Sequence, residues 1–219
     1  MIARRLVVCA LGVLLAASAV AQVHHQHRGA SDHRFDNAES WARVFDDPAR
    51  DAWQKPDEVV RALKLAPGAT VADIGAGTGY FAVRLARAVP QGRVYAVDAS
   101  ADMVKYLAGR AQREGLANLA PVQAGARSAN LPAPVDLALL VDVYHHVDDR
   151  VDYFRGLRAS LAPGGRVAII DFRPETRRGP RHKLPAATVL EEMQRAGYAV
   201  TERHEFLPDQ YFIVFAPAP

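Results

Sequence analysis

The chain has 219 residues; half are hydrophobic, 23% are charged and one is cysteine. That length suits a single domain with short extras, and the composition excludes a disordered chain, a disulfide framework and a cysteine-rich metal site. A formal net charge of +3 is too small to mark a nucleic-acid footprint.

Residues 1–21 open with Arg4 and Arg5, continue through an apolar stretch from Leu6 to Ala17, and end on Ala19-Val20-Ala21. Charge, apolar run and small-residue site in that order read as a secretory signal peptide, cleaved after Ala21. The apolar run is shorter than the roughly 20 residues a membrane span needs, so no stable insertion is expected after cleavage. Removal takes Cys9 with it and leaves 198 residues, with 25 basic side chains almost balancing 24 acidic ones. The expected location is outside the cytoplasm, in the periplasm.

Residues 22–39 are polar, without periodicity, and read as a disordered leader. Their histidines, His24, His25, His27 and His33, are too loosely placed to be read as a metal site. From Ser40 to Leu65 the pattern is helical, punctuated at Asp46-Asp47-Pro48 and Lys55-Pro56. This stretch, with Trp41, Phe45, Trp53 and Gln54, reads as a helical flap over residues 40–66, ahead of a domain that runs to 219.

Apolar runs then alternate with helical windows. Runs at 70–75, 92–98, 119–125, 135–142 and 165–172 are continuous in Val, Ile, Leu and Ala, as strands buried on both faces of a parallel sheet are. Helical windows fall at Tyr80–Val89, Ala101–Glu114, Arg150–Leu161 and Leu184–Ala196, with Asp148 or Asp149 as a candidate cap of the third. Two further runs, 198–206 and 210–217, look like an antiparallel hairpin at the sheet edge. The predicted fold is α/β: a doubly wound, Rossmann-like, seven-stranded sheet, mostly parallel, with ligand at the carboxyl ends of the strands.

The stretch from Val71 to Tyr80 ends a strand in Asp73, turns through Gly75, Gly77 and Gly79, and starts a helix at once. Glycines let backbone approach a ligand closely, and the helix start offers free N–H donors. The dinucleotide pattern G-x-G-x-x-G fails at Tyr80, which disfavours a nicotinamide enzyme. Asp98 ends the second run 19 residues beyond Gly79, placed to accept both hydroxyls of a ribose.

Asp73, the three glycines, Asp98 and the turn Leu161-Ala162-Pro163-Gly164-Gly165 together resemble the class I S-adenosylmethionine-dependent methyltransferases, over residues 40–216. The stretch from Arg50 to Pro56 and Tyr144-His145-His146 resemble a subgroup of small methyltransferases that often carry export signals. The resemblance implies that Gly75, Ala76, Gly77 and Gly79 line the methionine part of S-adenosylmethionine and that Asp73 positions the loop or its amino group. Asp98 would hold the ribose, Ala99 and Met103 would border the adenine, and Gln54 would reach the cofactor from the flap. The acid that many relatives carry after the third strand is missing, since this chain reads Gly125-Ala126-Arg127-Ser128.

Methyl transfer from a sulfonium needs alignment and exclusion of water, and a base only where the acceptor arrives protonated. Asp142, Tyr144, His145 and His146, after the fourth run, are the candidate catalytic residues. Tyr80 or Tyr144 could present a ring face to the sulfonium. Glu175 and His182, in the cationic loop 172–183, are the candidate substrate contacts. The expected partner is a small-molecule or protein methyl acceptor, with no nucleic acid and no metal. The alternative is a non-catalytic exported binding protein that keeps the cofactor fold.

Overall fold

The computed structural model describes residues 37–219; the expected signal peptide and residues 22–36 of the expected leader lie outside them. Asn37 caps the first helix, α1 (Ala38–Phe45), by accepting the Ser40 N–H, so the flap starts two residues earlier than expected. A 3₁₀ turn over Pro48–Arg50 follows, then α2 (Asp51–Gln54) and α3 (Pro56–Ala62). The residue before a proline is kept out of right-handed helix, and Lys55 instead takes φ 45° between the two helices.

The domain proper alternates as the sequence implied. Its elements in order are β1 (Thr70–Ile74), α4 (Tyr80–Ala88), β2 (Arg93–Asp98), α5 (Ala101–Arg113), β3 (Leu119–Gln123) and β4 (Val135–Val141). They continue with α6 (Arg150–Leu157), β5 (Leu161–Phe172), α7 (Ala186–Arg195), β6 (Tyr198–His204) and β7 (Gln210–Pro217). The seven strands form one sheet in the order β3-β2-β1-β4-β5-β7-β6. Pairings among β1 to β5 are parallel, and β7 enters antiparallel between β5 and the edge strand β6.

Burial on both faces explains the unbroken apolar runs. In β4, Leu137 and Leu139 pack with Val59, Leu63 and Leu85 on one face. Ala138 and Leu140 pack on the other with Phe154, Leu157 and Met193. Each large side chain so enclosed contributes roughly 1.5–3 kcal/mol.

Three local expectations need correction. The Leu161–Gly165 segment belongs to β5 itself: Val135 pairs Leu161 and Leu137 pairs Arg166, so the prolyl-glycyl stretch is a bulge inside the strand. Asp149 stands at the cap position of α6, but its side chain makes no capping bond and its carboxylate goes to Arg127 at 3.1 Å. The last helix starts after Pro185, not at Leu184.

The topology positions the site. From β1 the chain steps through β2 to β3 in one direction, then returns to place β4 on the other side of β1. At such a switch the loops leaving the two central strands diverge and open a crevice at their carboxyl ends. Among the described residues no helix is long and apolar enough to cross a membrane.

Candidate active site at the strand switch

A cavity of about 720 Å³ occupies that crevice, bounded below by the ends of β1, β2, β4 and β5 and above by the flap. That is within the range of pockets that enclose a small molecule. Gly75 (φ 76°), Gly77 (φ 55°) and Gly79 (φ 96°) all take left-handed backbone. At Gly75 any Cβ would lie inside the Val143 side chain, and at Gly77 it would press to 3.3 Å on the Phe45 ring of the flap. The sequence spells glycine here because the loop must thread between β4 and the flap.

The loop is fixed to β2. The Gly75 and Ala76 N–H groups donate to the Val97 carbonyl at 2.8 and 2.9 Å. The Asp98 carboxylate accepts the Gly77 N–H at 2.8 Å on one oxygen and the Ser100 N–H at 2.9 Å on the other. Each oxygen keeps a second lone pair for a donor in the cavity, which Asp98, Ala99 and Met103 all line. Burial raises the Asp98 pKa, and the backbone N–H groups of Ser100, Gly77 and Ala99 oppose the rise. Thr78 also lines the cavity, and its buried hydroxyl has no hydrogen-bond partner among the described residues.

Asp73, Gly75, Ala76 and Gly77 line the cavity; Gly79 does not, being the cap residue of α4. Asp73 is 3% exposed. Burial, reinforced by Asp98 and opposed by Arg50, pushes its carboxyl up to about 7. Asp142, at φ 60°, is likewise pushed up to about 7, by burial first and against the pull of Arg50. Its carboxylate accepts from the side-chain amides of Gln54, at 3.1 Å, and of Gln210, with the Arg50 guanidinium 3.6 Å away.

Arg50, singled out in the sequence only as part of a resemblance, is the main cation of the cavity. Its guanidinium lies 4.2 Å from the centre of the Tyr80 ring. It donates to the Phe45 carbonyl at 2.7 Å and to the Gln54 side chain. Gln54 itself is fully buried behind Asp142 and off the cavity wall, so it holds Arg50 and Asp142 instead of touching a ligand. Tyr80 is flanked by Arg84 as well, again at 4.2 Å, which leaves its ring poorly placed to receive a third cation.

His145 and His146 both line the cavity, their rings 4.0 Å apart. The Nδ1 of His145 sits 2.9 and 2.8 Å from the two oxygens of Asp171, a residue 1% exposed. Asp171 also accepts the backbone N–H groups of His145 and Phe172, at 3.3 and 2.8 Å. A carboxylate that accepts throughout fixes the ring proton on Nδ1 and leaves Nε2 as the basic atom.

Tyr144 is not part of the site. It is fully buried, donates to Glu192 at 2.8 Å and stacks on Phe154 at 5.1 Å, because the 3₁₀ turn over Tyr144–His146 directs it into the core. Glu175 and His182 are exposed and do not line the cavity. The same loop presents Arg178, Gly179 and Pro180 instead. Arg178 is held by Asp209 at 3.0 Å and lies 4.7 Å over the Trp53 ring. The Ser128 hydroxyl donates to Asn130 at 2.5 Å and the Gly125 N–H to the Ser128 carbonyl, so both are engaged within their own loop and neither lines the cavity. Among the described residues no group of three or more His, Cys, Asp or Glu could hold a metal ion.

Asp171 escaped the sequence reading, and Arg50 entered it only through the resemblance. For Asp171 a signal was present: an acid ending the apolar run before Phe172, as Asp73 ends the first run. For Arg50 the spacing to Asp142 depends on the tertiary fold alone.

A methyltransferase-domain model matches residues 71–165, from β1 to the bulge of β5. The chain is 33% identical over 131 residues to a trans-aconitate 2-methyltransferase of Azoarcus sp. (strain BH72), covering 60% of this chain and 49% of that protein. It is 35% identical over 140 residues to a ribosomal protein L11 methyltransferase of Pelotomaculum thermopropionicum, covering 64% and 41%. It thus spans about half or less of the length of these curated relatives. The crystal structure of a SAM-dependent methyltransferase from Aquifex aeolicus superposes with a TM-score of 0.75 at 26% identity, over 80% of this chain and 96% of that one.

Proposed function

We propose that this chain, which carries a class I S-adenosylmethionine-dependent methyltransferase domain, transfers the methyl group of S-adenosylmethionine to a small molecule enclosed beneath the flap. One observation carries the reading. The Asp98 carboxylate is locked by the Gly77 and Ser100 N–H groups beside a glycine turn that admits no side chain at Gly75. That is a prepared seat for a ribose diol next to an open backbone.

The residues present fit the cofactor in charge as well as in shape. Asp73 and Asp142 offer carboxylates to its ammonium and sulfonium groups, Arg50 offers a cation to its carboxylate, and the unpartnered Thr78 hydroxyl offers a hydrogen bond. The cofactor supplies an activated methyl group on sulfur. The chain supplies position: the loop fixes one end of the cavity, His145 and Phe172 bound the other, and Trp41, Val44 and Phe45 of α1 close the roof and exclude water. A cavity of this size, partly roofed by a helix, suits a small acceptor better than a protein surface.

Calorimetry tests this directly. S-adenosylmethionine and S-adenosylhomocysteine are expected to bind the wild type. Asp98→Ala is expected to weaken both by about 10- to 100-fold, the effect of removing a buried hydrogen-bonding carboxylate. Wild type that binds neither overturns the proposal. The same reading has the chain exported, supported by the ordered charge, apolar run and Ala19-Val20-Ala21 site of residues 1–21; a secreted form beginning at Gln22 is expected, and an intact Met1 in the cytoplasm contradicts export.

A further inference from the structure

We propose that the methyl acceptor carries a carboxylate, and that Arg178 binds it at the end of the cavity away from Asp98. The proposal rests on the methyl-transfer reading above and names the substrate class of that site.

The position follows from the sheet. Strand β5 lies two strands from β1 and three from β2, so its end stands roughly 14 Å from Asp98 at the usual strand spacing. An adenosyl group on Asp98 and the glycine turn fills the near side and leaves the β5 end to the acceptor. The contacts that close this end are direct. Phe172, the last residue of β5, meets Trp53 of α2 with ring centres 5.7 Å apart. Gly179 lies on the same Phe172 ring, so closely that a Cβ there would come within 2.5 Å of it. The Arg178 guanidinium lies 4.7 Å over the Trp53 ring. All four residues line the cavity.

Arg178 is held as an anion receptor is. Its Nε donates to one oxygen of Asp209 at 3.0 Å, and the Thr176 hydroxyl donates to the other at 2.6 Å. The Arg178 N–H returns to the Thr176 hydroxyl at 3.2 Å. The Arg173 N–H donates to the Asp209 carbonyl at 3.0 Å, which ties the start of the loop to the turn between β6 and β7. Stacking on Trp53 and the Nε bond together fix the plane of the guanidinium. Its two Nη nitrogens make no hydrogen bond among the described residues. They form the end-on fork that a carboxylate accepts through two parallel bonds. Asp209 takes one edge of the group and leaves this one.

The charges around the mouth agree. Residues 172–183 carry Arg173, Arg177, Arg178, Arg181 and Lys183 against one acid, Glu175. Neighbouring segments return two carboxylates, Glu205 to Arg173 and Asp209 to Arg178. Arg177 and Arg181 are exposed and form no ion pair among the described residues. Positive charge is therefore in excess over the β5 end. The carboxylates that line the cavity, Asp73, Asp98 and Asp142, stand instead at the ends of β1, β2 and β4. Arg50, the other flap-side cation, is drawn to Asp142 on the cofactor's side. Such a separation guides an anion to one end and a cationic cofactor to the other.

The test uses the full chain loaded with S-adenosylhomocysteine. Benzoate and succinate are the probes, benzamide and succinamide their neutral matches, and ligand-observed NMR titrations read the affinities. At least one carboxylate should bind about tenfold or more tighter than its amide, as a charge-assisted pair of bonds implies. Arg178→Gln should abolish that preference. Arg178→Lys should keep part of it, since lysine has the charge without the fork. Both variants should hold their S-adenosylhomocysteine affinity within about threefold. No preference for either carboxylate in wild type, or a preference that survives Arg178→Gln, overturns the inference. A loss of S-adenosylhomocysteine affinity in Arg178→Gln that Arg178→Lys restores would put the residue in the cofactor's seat and overturn it too. Failure of the wild type to bind S-adenosylhomocysteine would instead overturn the methyl-transfer reading beneath it.

Discussion

Asp73 holds a carboxyl group where solvent cannot reach it, and that makes its charge responsive to whatever enters the cavity. Burial, with Asp98 nearby, raises its pKa to about 7. A folded-state value above the ordinary 3.8 means the residue stabilises the folded chain at low pH, and that share is lost as pH rises toward and through 7. Asp73→Asn removes the titration without removing the volume. Its melting temperature relative to wild type should therefore be higher at pH 8 than at pH 5. The difference should reach at least about 2–4 °C, the shift that 1 kcal/mol makes in a domain of this size. Cofactor binding should weaken in the same variant, since a cationic ligand gains from the ionised acid. A difference that does not change between the two pH values would contradict the assignment. Asp73, Gly75, Gly77 and Asp98 were legible in the sequence because their spacing is local to one strand, one turn and the next strand. The Asp171 carboxylate behind His145 was not, because 26 residues and a whole helix separate the two until β5 lies beside β4.

The flap shows what an element adds to those residues. Helix α1 is short, and on its own it would be marginal in water; docking holds it. The Ala38 N–H donates to Asp102 of α5 at 2.7 Å. Arg110 of α5 pairs with Asp46 at 2.8 Å and donates to the Thr78 carbonyl of the glycine loop at 2.9 Å. One guanidinium therefore ties the roof of the cavity to its floor. Arg110→Ala should speed dissociation of S-adenosylhomocysteine about tenfold or more and cost about 1–3 kcal/mol of stability. Stopped-flow displacement measures the first and thermal melting the second. A dissociation rate equal to wild type would show that the roof does not hold the ligand. The helical character of residues 40–66 was readable from Trp41, Val44 and Phe45 at helical spacing. Their placement over the glycine turn was not, since it depends on the Ala38 N–H and Asp46 meeting Asp102 and Arg110 of α5. Tyr144 shows the converse: strand end and loop were placed correctly, yet one 3₁₀ turn decides which of three neighbouring side chains enters the core.

For the whole molecule, the order of the sheet does the organising. The alternation of apolar runs and helical windows implied a doubly wound sheet with its ligand at the carboxyl ends, and β1, β2, β4 and β5 deliver Asp73, Asp98, Asp142 and Phe172 to one crevice. The insertion of β7 between β5 and β6 places Gln210 behind Asp142, a contact no local pattern announces. The opening of the chain, expected to be an export signal, lies before the described residues. The account depends on one placement above all, the adenosyl group at the strand switch. A crystal structure with S-adenosylhomocysteine tests it most directly. The predicted result has the ribose hydroxyls on Asp98, the amino-acid end between the glycine turn and Arg50, and the sulfur turned toward His145. A ribose that does not touch Asp98, or an adenosyl group outside this cavity, would contradict it.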